Sequence, residues 1–234
     1  MAPPARLPQA HVLAYTGRMN IARSAGRVSA NWLIVIAALA AAAGLWFGAR
    51  LFTTTTPAPL LPPLQAGMAF PAPREVPAFE LDRADGGKLS QADWRGRWTI
   101  VFFGYTHCPD ICPTTLASFG QAWKKLDAAA RERLRFDFIS VDPARDNPEQ
   151  LARYVGHFDK DFVGATGSDE QLTALTRALG IMYAREQGEA GSYTVDHSAS
   201  VLIIDPAGRE VGLLRPPFDA SQIAADLQTL ARSQ

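Results

Sequence analysis

Apolar and polar positions alternate with different periods along the 234 residues, and the changes of period mark the elements. The first apolar block, Trp32 to Ala49 (WLIVIAALAAAAGLWFGA), has no charge at all. At 1.5 Å per residue a helix of this length nearly crosses a hydrocarbon core of about 30 Å, and Leu51 and Phe52 extend it. The pattern predicts a membrane-spanning helix over 32–52. Residues 53–75 have no period and are rich in Pro, Ala and Thr, which predicts an extended spacer. Periodicity returns after Val76. RWTIVFFGY (97–105) is a short continuous apolar run, the mark of a central strand. In TTLASFGQAWKKL (114–126), Leu116, Phe119, Trp123 and Leu126 recur at helical spacing, with Pro113 suited to the first turn. LRFDFISVD (134–142) alternates like a strand.

Further along, DNPEQLARYVGHF (146–158) opens on a capping residue and Pro148 and continues as an apolar helical stripe. SDEQLTALTRALG (168–180) carries a capping box, Ser168 with Gln171, and stops at Gly180. SVLIID (200–205), the turn DPAG (205–208) and REVGLL (209–214) predict a hairpin, and DASQIAADLQTLARS (219–233) a final helix. Strands alternating with helices in this order predict an α/β domain, with a mixed central sheet flanked by helices. It runs from about residue 76 to 234, a common size for one domain.

Charge adds a direction. Residues 1–74 hold six arginines and no acid, while all 23 acids lie from Glu75 onward. Arg6, Arg18, Arg23 and Arg27 precede the apolar block, so a basic tail over 1–31 is expected on the cytoplasmic side. The 76–234 domain then lies outside, where disulfides can form. Its acidic balance opposes nucleic-acid binding. A cleaved signal peptide would have a shorter apolar run nearer the terminus, and a mitochondrial presequence would be amphipathic, which Pro3, Pro4 and Pro8 disfavour. The expected location is a bacterial inner membrane with the domain in the periplasm. The mitochondrial inner membrane, with the domain facing the intermembrane space, is the alternative.

The only two cysteines stand in one short segment, FGYTHCPDICP (103–113), as Cys108 and Cys112. A disulfide there closes almost no loop and would contribute little as a staple. The segment joins the first central strand to its helix. Sites in α/β proteins collect there, and a helix N-terminus favours thiolate. Positions i and i+4 share a helix face, so both sulfurs can turn toward one ligand. Two functions stay open on this reasoning. One is thiol–disulfide exchange, although the usual spacing is C-x-x-C. The other is a soft-metal site, since two thiolates favour Cu(I), zinc or iron–sulfur. A third donor is offered by His197 in YTVDHSASVLIID (193–205), read as a polar loop ahead of a buried strand. His107 adjoins Cys108 and is an auxiliary candidate. His157 belongs to a solvent-facing helix position and His11 to the tail. Asp110 and Asp196 are candidates for supporting carboxylates, Asp196 to orient the ring of His197.

The segments FFGYTHCPDICPTTL, FISVDPARDNPEQLARYV, FVGATG and YTVDHSASVLIIDPAG, in this order, resemble the SCO/SenC family of membrane-anchored copper chaperones. The resemblance covers the chain from about residue 76 onward. It implies a thioredoxin-like fold and a copper ion held by Cys108, Cys112 and His197. It further implies a part in assembling the binuclear copper site of cytochrome c oxidase. The partners would be the copper-site subunit of the oxidase and, beyond it, a copper donor or a thiol–disulfide reductant. Some members act on the oxidase cysteines as thiol–disulfide reductases, and Cys108 with Cys112 would then be the redox pair. Thioredoxin-like oxidoreductases usually carry a proline just ahead of the strand that faces the cysteines. HSASVLIID has none, which favours metal over exchange.

Overall fold

The computed structural model describes residues 30–52, 61–187 and 193–233. Two compact units are present, Met1–Thr56 and Pro57–Gln234. The first contains helix α1 (Ala30–Phe52). Its segment Asn31–Arg50 is long and apolar enough to cross a membrane, and Trp32, Leu39, Leu45 and Trp46 are all exposed on it.

The second unit holds the other elements: β1 (Gly67–Glu75), β2 (Glu80–Arg83), β3 (Lys88–Ser90), a 3-10 turn (Gln91–Trp94), β4 (Trp98–Gly104), α2 (Ile111–Lys124) and α3 (Ala128–Glu132). These are followed by β5 (Leu134–Ser140), α4 (Pro148–Phe158), β6 (Phe162–Thr166), α5 (Asp169–Ala178), β7 (Tyr183–Gln187), β8 (Tyr193–His197), β9 (Val201–Ile204), β10 (Arg209–Leu214) and α6 (Ala220–Arg232). Eight strands make one mixed sheet in the order β1-β10-β9-β4-β5-β6-β2-β3. β4, β5 and β6 run parallel, and β9 lies antiparallel to β4. β7 and β8 form a separate antiparallel ribbon.

The apolar run of β4 is explained by its place. All seven of its residues are buried, as are those of β5 beside it. Such strands are covered on both faces, which removes the polar alternation of a half-exposed strand. Phe102, Phe103, Phe119, Trp123, Phe136 and Phe138 are fully buried in this core. Each contributes roughly 1.5–3 kcal/mol by leaving water. Helix starts follow the sequence. Asn147 caps α4 through Gln150 N, with Pro148 next, and Ser168 with Gln171 forms the capping box of α5.

Three elements depart from the sequence reading. The expected spacer over 53–75 ends early: Gly67–Glu75 is β1, paired with β10 at the edge of the sheet. Pro71 and Pro73 hide it in the sequence, but an edge strand tolerates proline, and the pairing is interrupted between Ala69 and Arg74 where they fall. Asp226 of α6 anchors the approach to this strand. Its carboxylate accepts from Gln65 N (2.7 Å), Ala66 N (2.8 Å) and Gly67 N (3.1 Å). Helix α2 begins at Ile111, three residues ahead of the predicted start, so Cys112 lies within it. His197 closes strand β8 and is not in a loop.

Candidate metal centre

β4 ends at Gly104, beside Ser140 of β5 and at the carboxyl ends of the parallel strands. The chain then turns, with Cys108 N donating to Tyr105 O (3.3 Å), and enters α2 at Ile111. Asp110 holds the capping position, yet its side chain makes no capping bond. A sulfur takes that part: Cys112 N donates to Cys108 Sγ at 3.4 Å. A first-turn amide that would otherwise lack a partner thus points at the Cys108 sulfur. Cys112 itself is buried, and Cys108 is half-buried. Gly104 makes room for this packing. A Cβ there would stand 2.6 Å from Cys112 Sγ and 2.8 Å from Phe138 Cε2, closer than atoms can approach.

The third group arrives from the ribbon. His197 Nε2 lies 3.2 Å from Cys112 Sγ. Its Nδ1 lies 3.1 Å from the carbonyl of Ser198. A carbonyl only accepts, so the Nδ1 proton points there and Nε2 presents its lone pair to the sulfurs. Phe102 and Tyr105 meet the ring at 5.9 and 6.0 Å between centroids. The ligand atoms of Cys108, Cys112 and His197 all lie within 4.8 Å of one another. Donors on one first-row ion at about 2.0–2.3 Å stand at most about 4.6 Å apart, so the three fit a single ion with little movement.

Neither cysteine is in a disulfide. The Cys112 thiol donates to Cys108 and, with the α2 amides, holds Cys108 far below the usual thiol range, at about 4, against the opposing effect of burial. The proton shared with Cys108, together with burial, pushes Cys112 up. At neutral pH the pair therefore holds one thiolate and one thiol.

The remaining candidates fall elsewhere. Asp196 is exposed and does not orient the His197 ring, because Ser198 O occupies Nδ1. On a strand, consecutive side chains point to opposite faces, which separates Asp196 from its neighbour. Asp110 is exposed and accepts only a long 3.4 Å bond from Thr114 Oγ1. His107 turns away from the sulfurs, with Nδ1 3.1 Å from Thr106 Oγ1 and 3.5 Å from Asp146 Oδ1. His157 is exposed on α4, and His11 lies outside the described residues. The segment that leads into β9 brings His197, and no proline, against the cysteine pair.

One supporting carboxylate went unnoticed in the sequence. Asp146 is fully buried and accepts from Thr106 N (2.8 Å), Thr106 Oγ1 (2.5 Å) and Ser140 Oγ (2.5 Å). It fixes the turn two residues before Cys108. In DPARDNP the capping pattern marks Asp146 only as part of a helix start, and its burial shows only in the fold.

A mixed sheet with a strand–turn–helix cysteine pair, facing a histidine and no proline, defines a thioredoxin-like protein fitted with a soft-donor site. The SCO1/SenC family profile matches residues 69–232, and the chain belongs to this family. A protein of Stutzerimonas stutzeri named for copper binding is 39% identical over 151 residues, 64% of this chain and 74% of that one. The human mitochondrial SCO1 homolog is 33% identical over 156 residues, 66% of this chain and 52% of its own length. The chain thus spans about half of this mitochondrial relative. Among solved structures, Arabidopsis thaliana ScoI with copper bound superimposes with a TM-score of 0.61 at 31% identity, covering 68% of this chain and 98% of that one. Apo Sco1 from Thermus thermophilus gives 0.64 at 36% identity, with 70% and 96% covered.

Proposed function

We propose that this protein is a membrane-anchored copper metallochaperone. Cys108, Cys112 and His197 hold the copper as cargo, and the acceptor is the copper-site subunit of cytochrome c oxidase. The observation that carries the reading is the convergence of two sulfurs and one imidazole nitrogen within 4.8 Å. Soft thiolates with one imidazole suit Cu(I). Three donors leave a coordination position through which an acceptor can take the ion. The copper-bound Arabidopsis relative supports the choice of metal, and the SCO/SenC resemblance supports the oxidase as destination. The apolar α1 and the arginine asymmetry support a single span over 32–52, with a cytoplasmic tail over 1–31 and a spacer before the sheet. They also support a copper domain in the bacterial periplasm, with the mitochondrial intermembrane space as the alternative.

The residues divide the work. Cys108 is already a thiolate near neutral pH, held by the α2 amide and the Cys112 thiol. Cys112 surrenders its proton when metal binds, since only thiolate ligates. His197 offers Nε2 while Ser198 O keeps the proton on Nδ1. Oxidation to a disulfide would remove both sulfur donors, so the site carries metal only when reduced.

A second reading rests on the same low-lying thiol. A half-exposed thiolate beside a thiol can attack a disulfide. Cys108 would bond to one sulfur of a partner disulfide and release the other as thiolate. Cys112 would then attack Cys108, form the Cys108–Cys112 disulfide and free the second partner thiol. His197 has no necessary part in that exchange. His197→Ala in the full chain is therefore expected to abolish tight Cu(I) binding and oxidase assembly in cells, while Cys108 and Cys112 still cycle between thiol and disulfide. Normal oxidase assembly by a copper-free His197→Ala variant would replace the chaperone reading with the reductase one. A variant that retains full copper affinity would remove His197 from the ligand set.

A further inference from the structure

Cys108 and Cys112 stand in the turn and helix that directly follow β4 of the main sheet, whereas His197 closes a strand of the separate β7–β8 ribbon. Among the described residues the β7–β8 ribbon makes no ladder with the eight-stranded sheet and joins it through the short link from His197 to β9, so side-chain contacts help to set its distance from the cysteines. The turn between β5 and α4 supplies them. Asp142 is fully buried and accepts from Tyr193 Oη at 2.6 Å and from Arg145 Nε. Arg145 Nη1 donates to the carbonyl of Tyr193 at 3.0 Å. The same guanidinium lies 3.7 Å over the Tyr193 ring and 5.6 Å from the ring of Tyr105, where cation–π attraction adds to the contact. Tyr193 opens β8 and His197 closes it, so the strand is gripped at one end and presents its ligand at the other. Between them, Val195 is buried. The same turn reaches the other half of the site, because Asp146 fixes Thr106 ahead of Cys108.

We propose that Asp142, Arg145 and Tyr193 form a latch that positions His197 over the cysteine pair. This rests on the copper reading above only for the identity of the cargo. The latch residues are positioning residues and touch no metal. If they act through His197, their effect must vanish once His197 is gone.

The experiment uses the full chain in detergent. Cu(I) is titrated against a colorimetric chelator in Tyr193→Phe and Arg145→Gln, each made alone and combined with His197→Ala. Hydrogen exchange of the β8 amides is followed in the metal-free proteins. Tyr193→Phe keeps the ring and loses one donor. Arg145→Gln loses the charge and the fork. Each is expected to weaken Cu(I) by about 10–100-fold in the wild-type background, and to have no further effect when His197 is alanine. Faster β8 exchange is expected in both. Arg145→Lys keeps the charge without the planar fork and should rescue only in part. Equal losses with and without His197, or unchanged β8 exchange, would overturn the latch. If the wild-type chain binds no Cu(I) while β8 exchange still rises in the variants, the copper reading fails and the positioning role stands.

Discussion

The two halves of the candidate metal centre differ in burial and in how they join the main sheet. The cysteine half grows out of β4, whose residues are all buried, and its turn is pinned by the buried Asp146. The histidine half rides on a two-stranded ribbon whose residues Arg185, Glu186, Gln187, Thr194 and Asp196 are exposed. A two-stranded ribbon is marginal alone and depends on what it packs against. The difference is compatible with the proposed chaperone role: one half holds two sulfurs at the edge of the core, and the other brings the third donor on a separate ribbon.

The largest expected effect breaks the cysteine half. Gly104→Ala puts a methyl group 2.6 Å from Cys112 Sγ and 2.8 Å from the Phe138 ring. Overpacking of this kind costs about 1–3 kcal/mol. It should lower the denaturant midpoint of the full chain and displace Cys112, with loss of Cu(I) affinity. An unchanged midpoint would mean that the α2 start is less tightly fixed than its contacts imply. The companion change in the ribbon half is His197→Ala, which removes a half-buried ring from the end of a strand. Its cost in stability should stay below about 1 kcal/mol, although its effect on metal is large. A loss as great as that of Gly104→Ala would show that the ribbon is as firmly packed as the cysteine half.

The smallest effect is a dependence on pH that sharpens the contrast between the two sulfurs. The Cys112 thiol and the amides at the start of α2 depress the folded pKa of Cys108 from the ordinary thiol range to about 4. Its contribution to stability is thus fully present above the unfolded pKa and is lost as the pH falls toward 4. In the reduced, metal-free chain, alkylation of Cys108 should run at a nearly constant rate from pH 8 down to about pH 5 and fall below about pH 4. Cys112, buried and pushed up, should stay unmodified over the whole range. A Cys108 rate that rises tenfold per pH unit up to pH 8 would contradict the thiolate.

The fold was legible wherever burial leaves a one-dimensional trace. The seven-residue core of β4, the capping box at Ser168 and the hairpin from Val201 to Leu214 were each read from period and turn chemistry. β1 was missed because two prolines erase the strand signal, and only its edge position makes them tolerable. The β7–β8 ribbon was missed because its exposed, polar residues carry no strong alternation. The three converging side chains were nameable from residue type and from the SCO/SenC resemblance. The assignment of Asp196 failed because sequence adjacency on a strand places neighbours on opposite faces. Asp146 and the Asp142–Arg145–Tyr193 cluster could not be found by spacing, because each partnership bridges at least one distant segment of the chain.

The central claim, that two sulfurs and one imidazole hold a single copper, is tested most directly by X-ray absorption of the reduced, Cu(I)-loaded full chain. The account predicts one copper per chain with two sulfur neighbours and one nitrogen, and loss of the nitrogen in His197→Ala. An all-sulfur shell bridging two chains, or a nitrogen signal that survives His197→Ala, would contradict it.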